Sequence, residues 1–272
     1  MIYVCTAAHN DATTIGLVLW KIRQVFSAFP REYHFLVADD ASTDSTAEVL
    51  ESYQRVLPLT LVRHETVRGY AATVEALLRD ALARSDRPKR DFTITMHPDF
   101  EVSPEALPLL VRAMESGADL VVAEDEASDG SFARRLVRRS APWLLRPGVR
   151  VPGVRDLLSG VCAVRLSTLQ YCLGDSSAGF LQTDGPAARA ELVARTAAVA
   201  RQISVVSSPP SNGPIPATVE GSALGLALEL FRAGRRLRIP APAVEVRRLT
   251  EKTVERPVER PAEKTAEVES VS

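Results

Sequence analysis

Short apolar runs and longer stretches of helical periodicity alternate through the first half of the chain, with polar clusters at their junctions. Residues 2–6 form an apolar run of strand length, and polar His9-Asn10-Asp11 follows. Residues 15–29 then repeat apolar positions at helical spacing up to Pro30, so the segment reads as strand, loop, helix. The same unit recurs with a strand at 34–38, a loop at 39–44 and a helix at 45–56, whose first turn Asp44 is placed to cap. A third unit pairs a strand at 59–63 with a helix at 71–83. A fourth has a strand at 92–96, a loop at 97–101 and a helix at 104–116 opened by Pro104, and 118–123 makes a fifth strand. Strands alternating with helices predict an α/β fold, a mainly parallel sheet flanked by helices, with ligands bound beyond the carboxyl ends of the strands.

The rhythm changes after residue 123. An arginine-rich helical stretch at 132–145 leads through Pro147, Gly148, Pro152 and Gly153 to a strand-like run at 161–164. A final helix is expected at 187–200, then a Pro/Ser/Gly loop at 207–216. Residues 1–249 are read as one domain, and 250–272, a mixture of Glu, Lys, Arg, Pro and Val without periodicity, as a disordered charged tail.

Composition narrows the field. With 46% hydrophobic and 25% charged residues, most of the chain is expected to fold. A net charge of -1 gives no reason to expect nucleic acid as a partner. Cys5, Cys162 and Cys172 are odd in number with apolar flanks, which predicts buried thiols, no disulfides and a cytoplasmic location. Residues 1–5 lack the basic lead and long apolar region of a signal peptide, and no window approaches the roughly 20 apolar residues of a membrane span.

The candidate chemistry concentrates at the second loop, Ala38-Asp39-Asp40-Ala41-Ser42-Thr43-Asp44-Ser45-Thr46. A GxGxxG fingerprint is absent, which argues against a nicotinamide enzyme. Carboxylates at a strand end can accept hydrogen bonds from a base N–H or ribose hydroxyls, with Ser42 and Thr43 capping the following helix. A plain Asx turn and helix cap is the competing reading.

Together these residues resemble the V-D-D-x-S-T-D-x-T signature of family 2 glycosyltransferases with the GT-A fold, matched at Asp39, Asp40, Ser42, Thr43, Asp44 and Thr46. Ala7-Ala8-His9-Asn10-Asp11 stands where that family has P-A-Y-N-E, and Arg68-Gly69-Tyr70-Ala71-Ala72 resembles its helix-opening segment near the donor. Met96-His97-Pro98-Asp99-Phe100-Glu101 falls at its D-x-D motif. Gly117-Ala118-Asp119-Leu120 and Asp156-Leu157-Leu158-Ser159-Gly160 are similar to the dolichol-phosphate mannose synthase subgroup, and the likeness covers about residues 2–166.

The resemblance implies a nucleotide-sugar-binding half at 1–125 and an elaborated acceptor-side half at 126–249. It implies an inverting enzyme that moves a sugar from a UDP- or GDP-sugar to a phosphate or hydroxyl acceptor. Ala7, Asn10, Asp11, Asp39, Asp40, Arg68, Gly69, His97, Pro98 and Arg134 would contact the donor, and Asp99, His97 and Glu101 would hold Mn²⁺ or Mg²⁺ against its diphosphate. His97 replaces the first aspartate of the motif, which tilts the metal preference toward Mn²⁺. Asp156 and Glu191 are the candidate bases, with Asp184 an alternative more readily read as surface. Arg134, Arg135, Arg138 and Arg139 share a helical face suited either to solvent or to phosphate. His9 and His64 receive no role. The subgroup's polyprenyl-phosphate acceptors admit peripheral membrane contact.

Two other classes stay open. A nucleotide-sugar-binding protein with a degenerate metal site would explain His97. A nucleotidyltransferase would need a glycine-rich loop straight after the first strand, and residues 6–14 have none.

Overall fold

The computed structural model describes residues 1–98, 102–125, 132–174, 179–208 and 222–249. Through the first half the elements follow the predicted alternation: β1 (Ile2–Ala8), α1 (Ile15–Ala28), β2 (Tyr33–Asp39), α2 (Thr46–Gln54), β3 (Leu59–Arg63), α3 (Tyr70–Arg84) and β4 (Phe92–Thr95). A 3-10 turn, Pro104–Ala106, then leads into α4 (Leu107–Glu115), and β5 (Leu120–Asp125) follows. The second half contains α5 (Phe132–Leu144), β6 (Cys162–Arg165), α6 (Leu166–Leu173), α7 (Gly185–Val199), β7 (Ile203–Ser208), α8 (Ala223–Arg236) and β8 (Val246–Leu249).

The eight described strands form one sheet in the order β3-β2-β1-β4-β6-β5-β7-β8. Every pairing is parallel except those of β6, which runs antiparallel between β4 and β5. Successive strand residues point to opposite faces, so β1 sends Ile2 and Val4 to one core and Tyr3 and Cys5 to the other. Helices α1, α2 and α4 cover the first face, whereas α3, α6, α7 and α8 cover the second. In α1, Ile15, Val18, Leu19, Ile22 and Phe26 recur at helical spacing and are buried, each contributing about 1.5–3 kcal/mol of hydrophobic stabilisation.

Several expectations need correcting. The stretch at 187–200 is not the last helix, because α8 follows it, and α6, β7 and β8 were not anticipated. The expected loop at 207–216 begins inside β7, and its remainder lies outside the described residues, as do the tail at 250–272, Asp99 and Glu101. The cysteines are free thiols, Cys5 and Cys162 buried and Cys172 partly so. Burial pushes the Cys162 thiol up to about 11 and that of Cys172 up to about 12. Among the described residues, no helix is long and apolar enough to cross a membrane.

Candidate active site

The chain leaves β1 toward β2 on one side and later returns to β4 on the other, which opens a crevice at the carboxyl ends of these strands. Ala7 lies there, in register with Ala38. The two signature loops are laced together across this crevice. The Asn10 amide donates to Ser42 Oγ at 3.0 Å, and Asn10 Oδ1 accepts from the Thr43 amide at 2.8 Å. The Asp11 amide donates to Thr46 Oγ1 at 2.8 Å and that of Ala12 to Asp44 Oδ2 at 3.2 Å. Ser42 and Thr43 therefore hold the first loop and do not cap α2. Asp44 does engage the start of α2, accepting from the Thr46 amide at 3.0 Å. The lacing holds Asn10 and Ala41 at φ of 58° and 56°, and for alanine this left-handed conformation costs about 1–2 kcal/mol.

Asp40 is the hub of the site. Its Oδ1 accepts from His64 Nδ1 at 2.7 Å and from the Arg68 amide at 2.9 Å, and its Oδ2 accepts from the Gly69 amide at 2.9 Å. An ionised carboxylate only accepts, so His64 carries its proton on Nδ1. Burial would raise the Asp40 carboxyl, but the His64 and backbone hydrogen bonds outweigh it and hold the group below the usual carboxylate range. His9 Nδ1 donates to the Asp40 carbonyl at 2.7 Å. Asp39 is also buried. Its Oδ1 accepts from the Ser42 amide at 3.0 Å, and Oδ2 lies 3.6 Å from Arg63 Nε. His9 and His64, given no role above, thus bracket Asp40, while the side chain of Arg68 is exposed.

Beyond β4 a second cluster gathers. The rings of Tyr70 and His97 stack at 4.8 Å, and the Arg189 guanidinium lies 5.7 Å from the Tyr70 ring centre. Arg189 Nη2 contacts His97 Nδ1 at 3.2 Å, and Nη1 donates to the Leu158 carbonyl at 3.2 Å. A guanidinium only donates, so His97 Nδ1 accepts and the neutral ring carries its proton on Nε2. Among the described residues, no group of three or more His, Cys, Asp or Glu side chains is gathered as a metal site would require. Pro98, next to His97 in the chain, is buried. Gly160, at φ 68°, is forced by the same packing, since a Cβ there would sit 2.9 Å from His97 Cδ2.

The acceptor-side carboxylates differ sharply. Glu191 is fully buried, and its two oxygens accept from the Gln182 and Thr183 amides, Thr183 Oγ1 and Arg195. It fixes the turn at 182–183 and presents no carboxylate to a substrate. Asp156 pairs with Arg138 at 2.7 Å and accepts from the Leu158 amide at 3.0 Å. Asp184 is exposed but not idle, because it accepts from the Ala71 amide at 2.8 Å and caps α3. Glu124, at the end of β5, binds the Arg155 and Asp156 amides and pairs with Arg248 of β8 at 2.8 Å. Arg135 and Arg139 are exposed, and the side chain of Arg134 lies outside the described part.

Sequence reasoning missed Tyr70, His64, Arg189 and Glu124. Each acts through a partner distant in sequence, and only the strand-end positions of His64 and Glu124 carried a local signal.

A family model described as Glycosyl transferase family 2 matches residues 3–166. A dolichol-phosphate mannosyltransferase of Pyrococcus furiosus is 25% identical over 146 residues, 51% of this chain and 39% of the relative. An undecaprenyl-phosphate 4-deoxy-4-formamido-L-arabinose transferase of Edwardsiella ictaluri is 27% identical over 50% of this chain and 40% of its own length. The chain thus spans about two-fifths of these curated relatives. Among solved structures, Mycobacterium tuberculosis glucosyl-3-phosphoglycerate synthase with Mn²⁺, UDP and phosphoglyceric acid superposes with a TM-score of 0.55 at 21% identity, covering 87% of this chain and 75% of that one. S. aureus TarS with UDP-GlcNAc gives 0.54 at 19%, covering 81% and 62%. At these identities the likeness is one of fold.

Proposed function

The chain belongs to glycosyl transferase family 2, and from that premise we propose that it moves a sugar, with inversion, from a UDP- or GDP-sugar to a phosphate or hydroxyl acceptor. The observation that carries the reading is the pair of buried carboxylates, Asp39 and Asp40, at the strand crevice. Asp40 spends its acceptors on ordering His64 and the turn that opens α3. Asp39 is left as the group to accept from a base N–H, with Asn10 and Asp11 at the ribose.

In this reading Arg189 faces the departing diphosphate. A guanidinium suits phosphate oxygens, and stabilising leaving-group charge lowers the barrier most when the donor is fixed beforehand. Asp99 and Glu101 would hold a divalent cation, which supplies further neutralisation of the diphosphate when bound. Asp156 is the better placed of the two expected bases, since Glu191 is committed to its turn. An anionic phosphate acceptor would need no strong base. The polyprenyl phosphates in the relatives' names support a lipid-linked acceptor, and the reduced thiols suit a cytoplasmic setting.

A second reading, a sugar-nucleotide binder with little turnover, draws on His97 standing in place of an aspartate and lying against Arg189. Incubating the protein with radiolabelled UDP- and GDP-sugars, Mn²⁺ and either polyprenyl phosphate or a phosphorylated small acceptor separates the two. Transfer or slow hydrolysis, lost in Asp39→Ala, supports the enzyme. Tight nucleotide binding without either reaction supports the binder.

A further inference from the structure

We propose that the outward sides of α5 and α8 form a docking surface for an anionic lipid bilayer. On α8, Leu224, Leu228, Phe231 and Arg235 recur at spacings of four, three and four, which places them on one stripe. All three apolar side chains are exposed, Leu224 at 80%. The opposite side of the same helix, with Leu230 and Ala233, enters the core. A helix apolar on both sides is suited to burial, so the outer stripe has a use for cover beyond this fold.

Helix α5 repeats the pattern. Leu136 and Trp143, seven residues apart, share an exposed stripe, Trp143 at 71%, while Ala141 and Leu145 pack inward. The two helices meet near their C-terminal ends, where the Gly148 amide donates to the Gly234 carbonyl at 2.9 Å. That approach needs glycine at both positions, since a Cβ on Gly148 would sit 2.3 Å from the Gly234 carbonyl oxygen and one on Gly234 would sit 2.5 Å from Leu145.

Charge identifies the occupant. Residues 132–249 contain 17 arginines and no lysine against 7 acidic residues, although the whole chain is nearly neutral. Two of those acids, Asp156 and Glu191, are buried in ion pairs. Arg139 lies beside the Leu136–Trp143 stripe, and the Arg235 guanidinium sits 4.9 Å from the Phe231 ring centre, so cations flank the exposed apolar groups on both helices. Leucine and aromatic side chains that enter the acyl boundary, with guanidinium groups at the level of the lipid phosphates, describe an interfacial contact. This surface stands apart from the proposed transfer reaction and is tested by binding alone.

Vesicles of phosphatidylcholine, with and without phosphatidylglycerol, are the probe. The full chain is expected to float with the anionic vesicles, to release at high salt, and to stay behind with phosphatidylcholine alone. Arg139→Ser and Arg235→Ser should each lower partitioning roughly five-fold. The chain has two tryptophans, and Trp20 lies on α1 against the other side of the sheet. In a Trp20→Phe variant, the emission of Trp143 should shift to the blue when anionic vesicles are added, and Leu228→Ser/Phe231→Ser should weaken flotation with an unchanged circular dichroism spectrum. The proposal is overturned by absence of flotation, by flotation without a Trp143 shift, or by a dimer in light scattering that the Leu228→Ser/Phe231→Ser variant dissolves.

Discussion

Replacing Asp40 with asparagine tests the hub of the site with almost no change of volume. In the native chain Asp40 Oδ1 serves two donors, His64 Nδ1 and the Arg68 amide, and Oδ2 serves the Gly69 amide. Asparagine keeps one acceptor oxygen. Placed at the Oδ1 position, that oxygen retains two bonds and turns its NH₂ toward the Gly69 N–H, where two donors oppose each other. The reverse orientation is worse, because two donors then face the NH₂. One lost hydrogen bond to a charged acceptor, with a poorly solvated N–H left over, costs about 2 kcal/mol. Urea unfolding with a slope of about 3 kcal/mol per molar then predicts a midpoint lower by roughly 0.7 M. Nucleotide affinity should fall as well, since the turn at 68–69 loses its anchor. An unchanged midpoint with an unchanged slope would refute the hub as described.

Asp40, Asp44 and Asp91 are all held below the usual carboxylate range. Burial opposes this in each case, and it is outweighed by hydrogen bonds from His64 and backbone amides, from Thr46, and from the N-terminal amine and Ser85 respectively. Their stabilisation is present above a pH of about 4 and is lost as pH falls through the depressed values, so Asp40→Asn should flatten the acid limb of stability against pH. Gly160→Ala should cost about 1–2 kcal/mol through its positive φ, and should also weaken donor binding because the new Cβ presses on His97 and Arg189. Arg189→Met should lower kcat/KM for sugar transfer about 100-fold, with Arg189→Lys recovering part of the loss, read from initial rates. Leu19→Ala, which empties part of a fully buried α1 face, should cost about 2–5 kcal/mol in urea unfolding and leave nucleotide affinity unchanged.

The strands of the first half were legible because parallel strands covered on both sides read as short unbroken apolar runs, as at 2–5 and 35–38. The second half hides its elements. α6 follows β6 without an intervening turn residue, and β8 is an edge strand whose Val246 and Leu249 enclose two arginines. α8 contains Gly225 and Gly234, which depress its helical signal. At the site, the loop motif located Asp39 and Asp40 but did not assign their partners. His64 is 24 residues from Asp40, and Arg189 is 92 from His97. Contacts of that separation are set by sheet order and leave no local periodicity to read.

Nucleotide titration of the wild-type chain beside Asp39→Asn is the closest test of a donor site at the ends of β1, β2 and β4. Isothermal titration with UDP and GDP, in the presence of Mn²⁺, should give saturable binding of one nucleotide by the wild type. The variant, folded by circular dichroism, should bind it at least about ten-fold more weakly, the ratio expected for losing one charge-assisted hydrogen bond. Equal affinity in both proteins, or no binding of either nucleotide by the wild type, would contradict the account.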